Sequence, residues 1–275
     1  MKFALINEQR REAQPGLSGI CPVCRNPVVA KCGDIRVNHW AHSAGSNCDN
    51  WWEIETGWHR NWKNKFPAAW QEVVHTSKKT GKHIADIKTD QGWVIEFQHS
   101  FVSPEEQKSR EQFYRNLIWI VNGNRRDFDR KHFFRLWKDS ETTDKNLNMR
   151  KISLKADCAL LKDWACRHAP VLFDFSGNPC GSDDEQLKLF NSKNSFNPVN
   201  ENLWLLVKAE NEQAYIMPIP RKKFIDFHGP ESGYKRKDFA KLIKYLKTEN
   251  INKSRHLRLL LPIIQDLNRT ANSCE

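Results

Sequence analysis

The sequence predicts a mixed α/β protein in three parts. A small Cys- and His-bearing module spans residues 1–50, and a core of helices and strands spans 51–137. Past a polar linker at 138–153, an α-rich region spans 154–275. Three observations predict this. A C-x-x-C pair and two His three residues apart lie in the first part. Strand-like runs separated by helix starts fill the second. In the third, Phe239, Leu242, Ile243 and Leu246 recur at helical spacing. The 275 residues suit two domains, and a 39% hydrophobic share excludes wholesale disorder. The net charge of +11, from 44 basic and 33 acidic residues, favours a polyanionic partner, although a basic solvated surface would give the same sum.

Residues 1–6 begin like a signal peptide, but Asn7, Glu8, Gln9, Arg10 and Arg11 end the apolar stretch too early for one. No run approaches the ~18 apolar residues of a membrane helix, so a cytoplasmic protein with no membrane partner is expected. Its Cys are then reduced, and a tight Cys pair reads as metal binding before disulfide.

Cys21-Pro22-Val23-Cys24 is a knuckle that can hold a tetrahedral zinc ion. Strand-like residues 28–31 and 35–38, around Cys32-Gly33-Asp34, read as a zinc-ribbon-like hairpin. It runs into His39-Trp40-Ala41-His42, which returns two imidazoles to the knuckle. The expected structural zinc ligands are Cys21, Cys24, His39 and His42, with Cys48 in reserve and Cys32 last. The alternative is ordinary Cys and His in a small core. A module with so few large aliphatics, however, needs a staple to fold.

In the core, residues 53–66 read as a helix stopped by Pro67, with Glu55, His59 and Trp62 on one face. Residues 70–76, 83–89 and 92–99 read as strands. Asp90-Gln91-Gly92 is a three-residue hairpin loop with Gly at the left-handed position. That register opposes Asp86 and Glu96, and strand alternation puts Gln98 on the side of Glu96. Opposed carboxylates make sense around a divalent cation such as Mg2+ or Mn2+. A one-residue slip, or two solvated surface acids, are the competing readings. Ser103-Pro104-Glu105-Glu106 starts a helix, with Ser103 as N-cap and Glu106 as its capping-box partner, running to about Arg115. Residues 117–121 form a fully apolar strand, followed by the turn Asn122-Gly123. The order is αβββαβ.

Asp86 followed by Glu96-Phe97-Gln98 in that order resembles the PD-(D/E)XK nuclease superfamily, with its restriction-endonuclease-like core. Cys21-Pro22-Val23-Cys24, His39-Trp40-Ala41-His42 and Glu55-Thr56-Gly57-Trp58-His59 resemble the competence protein CoiA-like family. So do His83-Ile84-Ala85-Asp86, the run from Val94 to Ser100 and the helix from Ser103 through Tyr114. The likeness covers roughly residues 15–125. It implies a Mg2+- or Mn2+-dependent deoxyribonuclease of bacterial DNA uptake, recombination or defence. By the resemblance, Glu55 is the acid of the first helix, and Asp86 and Glu96 hold the metal. Gln98 stands where the superfamily usually has Lys. Lys88, Lys63 or Arg110 could supply the missing charge. Arg110 and Tyr114 sit where related exonucleases carry a pair near the DNA end, and His59 is a weaker supporting candidate.

The C-terminal region lies beyond the resemblance. Lys237, Lys241, Lys244 and Lys247 surround the apolar stripe of its helix, either as a DNA-contacting face or as solvated lysines. Residues 257–267 read as a second apolar helix, and Cys158, Cys166, His168 and Cys180 as a remote possibility for a second metal site. The rival to the nuclease reading is a non-catalytic DNA-binding or adaptor subunit of a DNA-processing or anti-phage complex. Gln98 is the residue that sustains it.

Overall fold

A computed structural model describes residues 1–42, 48, 51, 53–77, 81–145, 147–176 and 201–247. The chain divides into two compact units, Met1–Leu117 and Ile118–Glu275.

The first unit opens with strands β1 (Phe3–Ile6), β2 (Gln9–Glu12), β3 (Ser18–Ile20), β4 (Pro27–Lys31) and β5 (His39–His42), in a sheet of order β2-β1-β3-β4-β5. Residues 1–6 therefore begin a hairpin. Asn7 and Glu8 both take positive φ, 49° and 59°, the tight turn that matches strand twist. The expected strand at 35–38 is not formed. Strand pairing resumes at His39, and Ile35 stays 97% exposed. Cys21, Val23, Val28 and Trp40 pack with Met1, Ala4 and Ala13 into a small core.

Helix α1 (Gly57–Lys63), a 3-10 turn (Ala68–Trp70), strands β6 (Gln71–Ser77), β7 (Gly81–Lys88) and β8 (Val94–Gln98) and helix α2 (Pro104–Phe113) follow. α1 is shorter than residues 53–66. Thr56 caps it, accepting from the His59 N–H while His59 Nδ1 accepts the Thr56 N–H, and Asn64 ends it. Glu55 thus lies before the helix, and the expected helical face of Glu55, His59 and Trp62 is not made. Ser103 caps α2, accepting from the Glu106 N–H, but the Glu106 carboxylate turns to Arg110 instead of closing a capping box.

The second unit holds β9 (Leu117–Asn122), α3 (Asp129–Asp139), β10 (Glu141–Asp144), β11 (Met149–Ser153), α4 (Ala159–Trp164), β12 (Val171–Asp174), β13 (Asn202–Glu210), β14 (Gln213–Pro220), α5 (Arg221–His228) and α6 (Arg236–Lys247). Its strands run in the order β10-β11-β14-β13-β12-β9, with β12 and β9 parallel. Residues 138–153, expected as a linker, carry the β10–β11 hairpin. The segment looks linker-like because β10 is an exposed edge strand, while Met149 and Ile152 of β11 are buried. The region after 154 is mixed rather than α-rich. β13 and β14 turn on Asn211 and Glu212, both at positive φ. Aromatic rings fill this core, among them Trp137 against Trp204 at 4.6 Å and Phe133 against Phe175 at 4.7 Å. The apolar stripe of α6 is buried at Phe239, Leu242 and Ile243. The apolar stretch at 257–267 lies outside the described residues.

Candidate metal centre and acidic site

The metal centre is built by a turn and two strands. After β3, the Cys21 N–H donates to Asn26 O at 2.9 Å, and the Arg25 N–H to Cys21 O at 3.0 Å. Arg25 takes a φ of 63° to close the knuckle. β4 pairs with β5 so that Val28 opposes His42, which brings that imidazole back to the knuckle. Cys24 Sγ lies 3.2 Å from His42 Nε2, and Cys21 Sγ lies 3.7 Å from Cys48 Sγ. All four ligand atoms fall within 4.8 Å of one another. Ligands on a tetrahedral zinc, with metal–sulfur bonds of about 2.3 Å, sit about 3.5–3.8 Å apart, so this donor set fits the ion.

His39 is not in the set. Its Nδ1 lies 2.9 Å from Val37 O. Residues three apart on a strand face opposite sides, so His39 and His42 cannot both reach the knuckle. Cys48, the reserve candidate, takes its place. Burial pushes the Cys21 and Cys48 thiols up, Cys48 further because it faces Cys21. Burial would also raise Cys24, but the Asn26 N–H and the neighbouring thiols pull it below its ordinary value. Burial lowers His42 toward the neutral form that binds metal.

The acidic site sits where the β7–β8 ladder ends. Gly92 takes a φ of 83°, and its N–H donates to Thr89 O at 2.8 Å. Ile87 pairs with Ile95 and Lys88 with Val94, so Asp86 comes opposite Glu96. There, side chains replace the ladder. The Asp86 N–H donates to Glu96 Oε1 at 3.3 Å, and the Phe97 N–H donates to Asp86 Oδ2 at 3.0 Å. Each carboxylate keeps its other oxygen against a buried cation. Lys63 Nζ is 3.0 Å from Asp86 Oδ1, and Arg110 Nη1 is 3.3 Å from Glu96 Oε2.

Lys63 is a hub. Besides Asp86 it meets Glu72 at 3.0 Å and Glu55 at 3.5 Å. Burial works against its charge, but the three acids together hold its pKa well above the ordinary value. Burial likewise opposes the charge of Arg110, which Glu96 and Glu106 outweigh. Arg60 grips Glu55 through two bonds of 2.9 and 2.8 Å.

The fold thus gathers Glu55, Lys63, Asp86, Glu96 and Arg110. Lys88 is exposed at the end of β7. Tyr114 is buried against Phe113, His75 and Trp51. His59 is buried with Nε2 2.9 Å from Phe97 O, and Gln98 is buried beside Glu53. Two acids, Glu53 and Glu72, escape any motif. Glu72 takes a φ of 47° and accepts the N–H groups of Lys2 and Phe3 at 2.7 and 3.1 Å. A positive φ at a non-Gly residue has no sequence signal here. Glu53 reaches its partner across 45 residues of chain, beyond any local spacing.

Among the described residues, only the Cys/His group gathers three or more metal-ligand side chains. Asp86 and Glu96 offer a pair of carboxylates, which suits Mg2+, an ion that takes one or two carboxylates and completes its shell with water and phosphate. Of the remote cluster, Cys158 is buried, with its thiol pushed up to about 11, chiefly by burial, and Cys166 is exposed. Cys180 lies outside the described residues. No described helix is long and apolar enough to cross a membrane.

Residues 8–50 match the family model described as competence protein CoiA, N-terminal domain. That stretch contains all four metal-centre residues. No curated protein and no solved structure matches the chain at a significant level.

Proposed function

We propose that this chain is a metal-dependent nuclease that hydrolyses DNA phosphodiester bonds in competence-related or other bacterial DNA processing. The observation that carries the reading is the Asp86–Glu96 pair. It stands at the open end of a hairpin ladder, with one oxygen of each acid fixed by a backbone N–H. The CoiA-type match at residues 8–50 supports the DNA-processing context.

Asp86 and Glu96 would hold the divalent ion, and Glu55 would support them through Lys63. Bound there, Mg2+ or Mn2+ acidifies water and stabilises charge on the phosphate and leaving oxygens. Lys63 supplies the positive charge that the superfamily usually places at the position of Gln98. Arg110 pairs with Glu96 and orients it. Zinc at the Cys/His centre is structural, stapling a module with a small core.

The test uses the purified full chain with linear, circular and single-stranded DNA, with and without Mg2+ or Mn2+. Metal-dependent cleavage is expected, with Asp86→Asn and Glu96→Gln each lowering the rate at least 100-fold while DNA binding persists. Wild-type rates in Glu96→Gln, in a preparation free of host nuclease, would refute the site. A second reading, a non-catalytic DNA-binding subunit of a larger complex, draws on Gln98, whose amide is tied to Glu53. Tight DNA binding with no cleavage under any metal would favour it.

A further inference from the structure

Gln98 is 2% exposed, and its side chain is held at one end only. Its Nε2 donates to Glu53 Oε2 at 3.0 Å and to Ser100 O at 3.1 Å. Both partners are acceptors, so the amide must turn its NH2 to them; the flipped amide would set oxygen against oxygen. Glu53 is itself locked. Its other oxygen accepts the Ser100 N–H, and His59 Nε2 stands 3.5 Å away. The opposite end of the amide, Oε1, is buried with no hydrogen-bond partner among the described residues. By strand alternation it lies on the side of β8 that carries Glu96. A bare buried amide oxygen is costly to leave unmet and is a hard ligand suited to Mg2+ or Mn2+.

We infer that Gln98 Oε1 is a third protein oxygen of the divalent-cation site at Asp86 and Glu96, and that Glu53 is the positioning residue that turns it there. The inference rests on the nuclease reading of that site. It gives Gln98 a role that Lys could not fill, because an ammonium has no acceptor.

Mn2+ binding to the zinc-loaded full chain, read by electron paramagnetic resonance without DNA, tests it. Gln98→Met, which keeps the bulk and removes the acceptor, is expected to weaken Mn2+ binding at least tenfold. Glu53→Leu is expected to weaken it severalfold, and to add nothing in the Gln98→Met background. Glu53→Gln, which still accepts from the amide, should recover part of the loss. A merely structural role for Glu53 would lower the melting temperature of the variant and leave Mn2+ affinity alone. Should Gln98→Met not fold, Gln98→Asn, which withdraws the oxygen by one methylene, carries the same expectation. Binding lost in Asp86→Asn but within twofold of wild type in the Gln98 variants would overturn this inference alone. Binding that survives Asp86→Asn, or a wild-type chain that binds no Mn2+, would overturn the metal site and this inference together.

Discussion

Lys63 decides whether the acidic site is tolerable. One ammonium faces Glu55, Glu72 and Asp86 in a buried position, so removing it leaves three acids with less compensation. Breaking such a buried group by deleting one partner costs about 3–5 kcal/mol. Lys63→Met should therefore lower the free energy of unfolding by that much, and Mg2+ should restore more stability to the variant than to the wild type. Equal Mg2+ effects on the two melting curves would argue against a cation-binding acid cluster. Glu72 gives the site a pH signature. Burial alone would raise its pKa, but Lys63 and the backbone N–H groups of Lys2 and Phe3 bring it down to about 2, from an ordinary 4.5. A depressed carboxyl contributes stability above its unfolded pKa and loses it as pH falls through the folded one. The chain should lose stability between about pH 4.5 and 2, and Glu72→Gln should flatten that limb in denaturant titrations. Asp86 and Glu96 were legible because a local loop sets their register. Glu72 was not, because its partners lie on α1 and on a strand near the start of the chain.

β5 shows how an element settles a ligand set. Its pairing with β4 puts His42 at the knuckle, and its alternation turns His39 away. Cys48→Ser should then strip zinc from the purified protein and lower its melting temperature, while His39→Ala should keep about one zinc. Metal analysis with the opposite pattern would return His39 to the centre. The His-x-x-His spacing suggested two ligands because both residues are good ones; only the strand conformation separates them. α1 is likewise shorter than its sequence pattern suggests. Its apolar residues continue past both ends, but the Thr56 cap and Asn64 fix where backbone N–H groups find partners. The β10–β11 hairpin is hidden in the sequence for a different reason. An edge strand facing water has a linker's composition.

Over the whole molecule, a charge of +11 is the broadest physical fact. Lys237, Lys241 and Lys244 of α6 are exposed on the helix whose apolar side is buried, and they add to a basic surface with no base-reading motif. DNA binding should therefore be nearly independent of sequence. Log affinity should fall linearly with log salt by about 0.9 per phosphate contact on duplex DNA. A filter-binding series that is flat with salt would contradict it. The sequence by itself determined the basic character, the C-x-x-C knuckle, the αβββαβ order from α1 to β9 and the hairpin that opposes Asp86 and Glu96. These depend on composition, on periodicity or on contacts within about ten residues, where spacing carries geometry. Only the tertiary structure decided that Cys48 replaces His39, that Lys63 bridges three acids, that Glu53 holds Gln98 and that strands occupy the region after 154. Each of those depends on side chains or strands far apart in the chain, and their meeting is set by packing that no local pattern encodes.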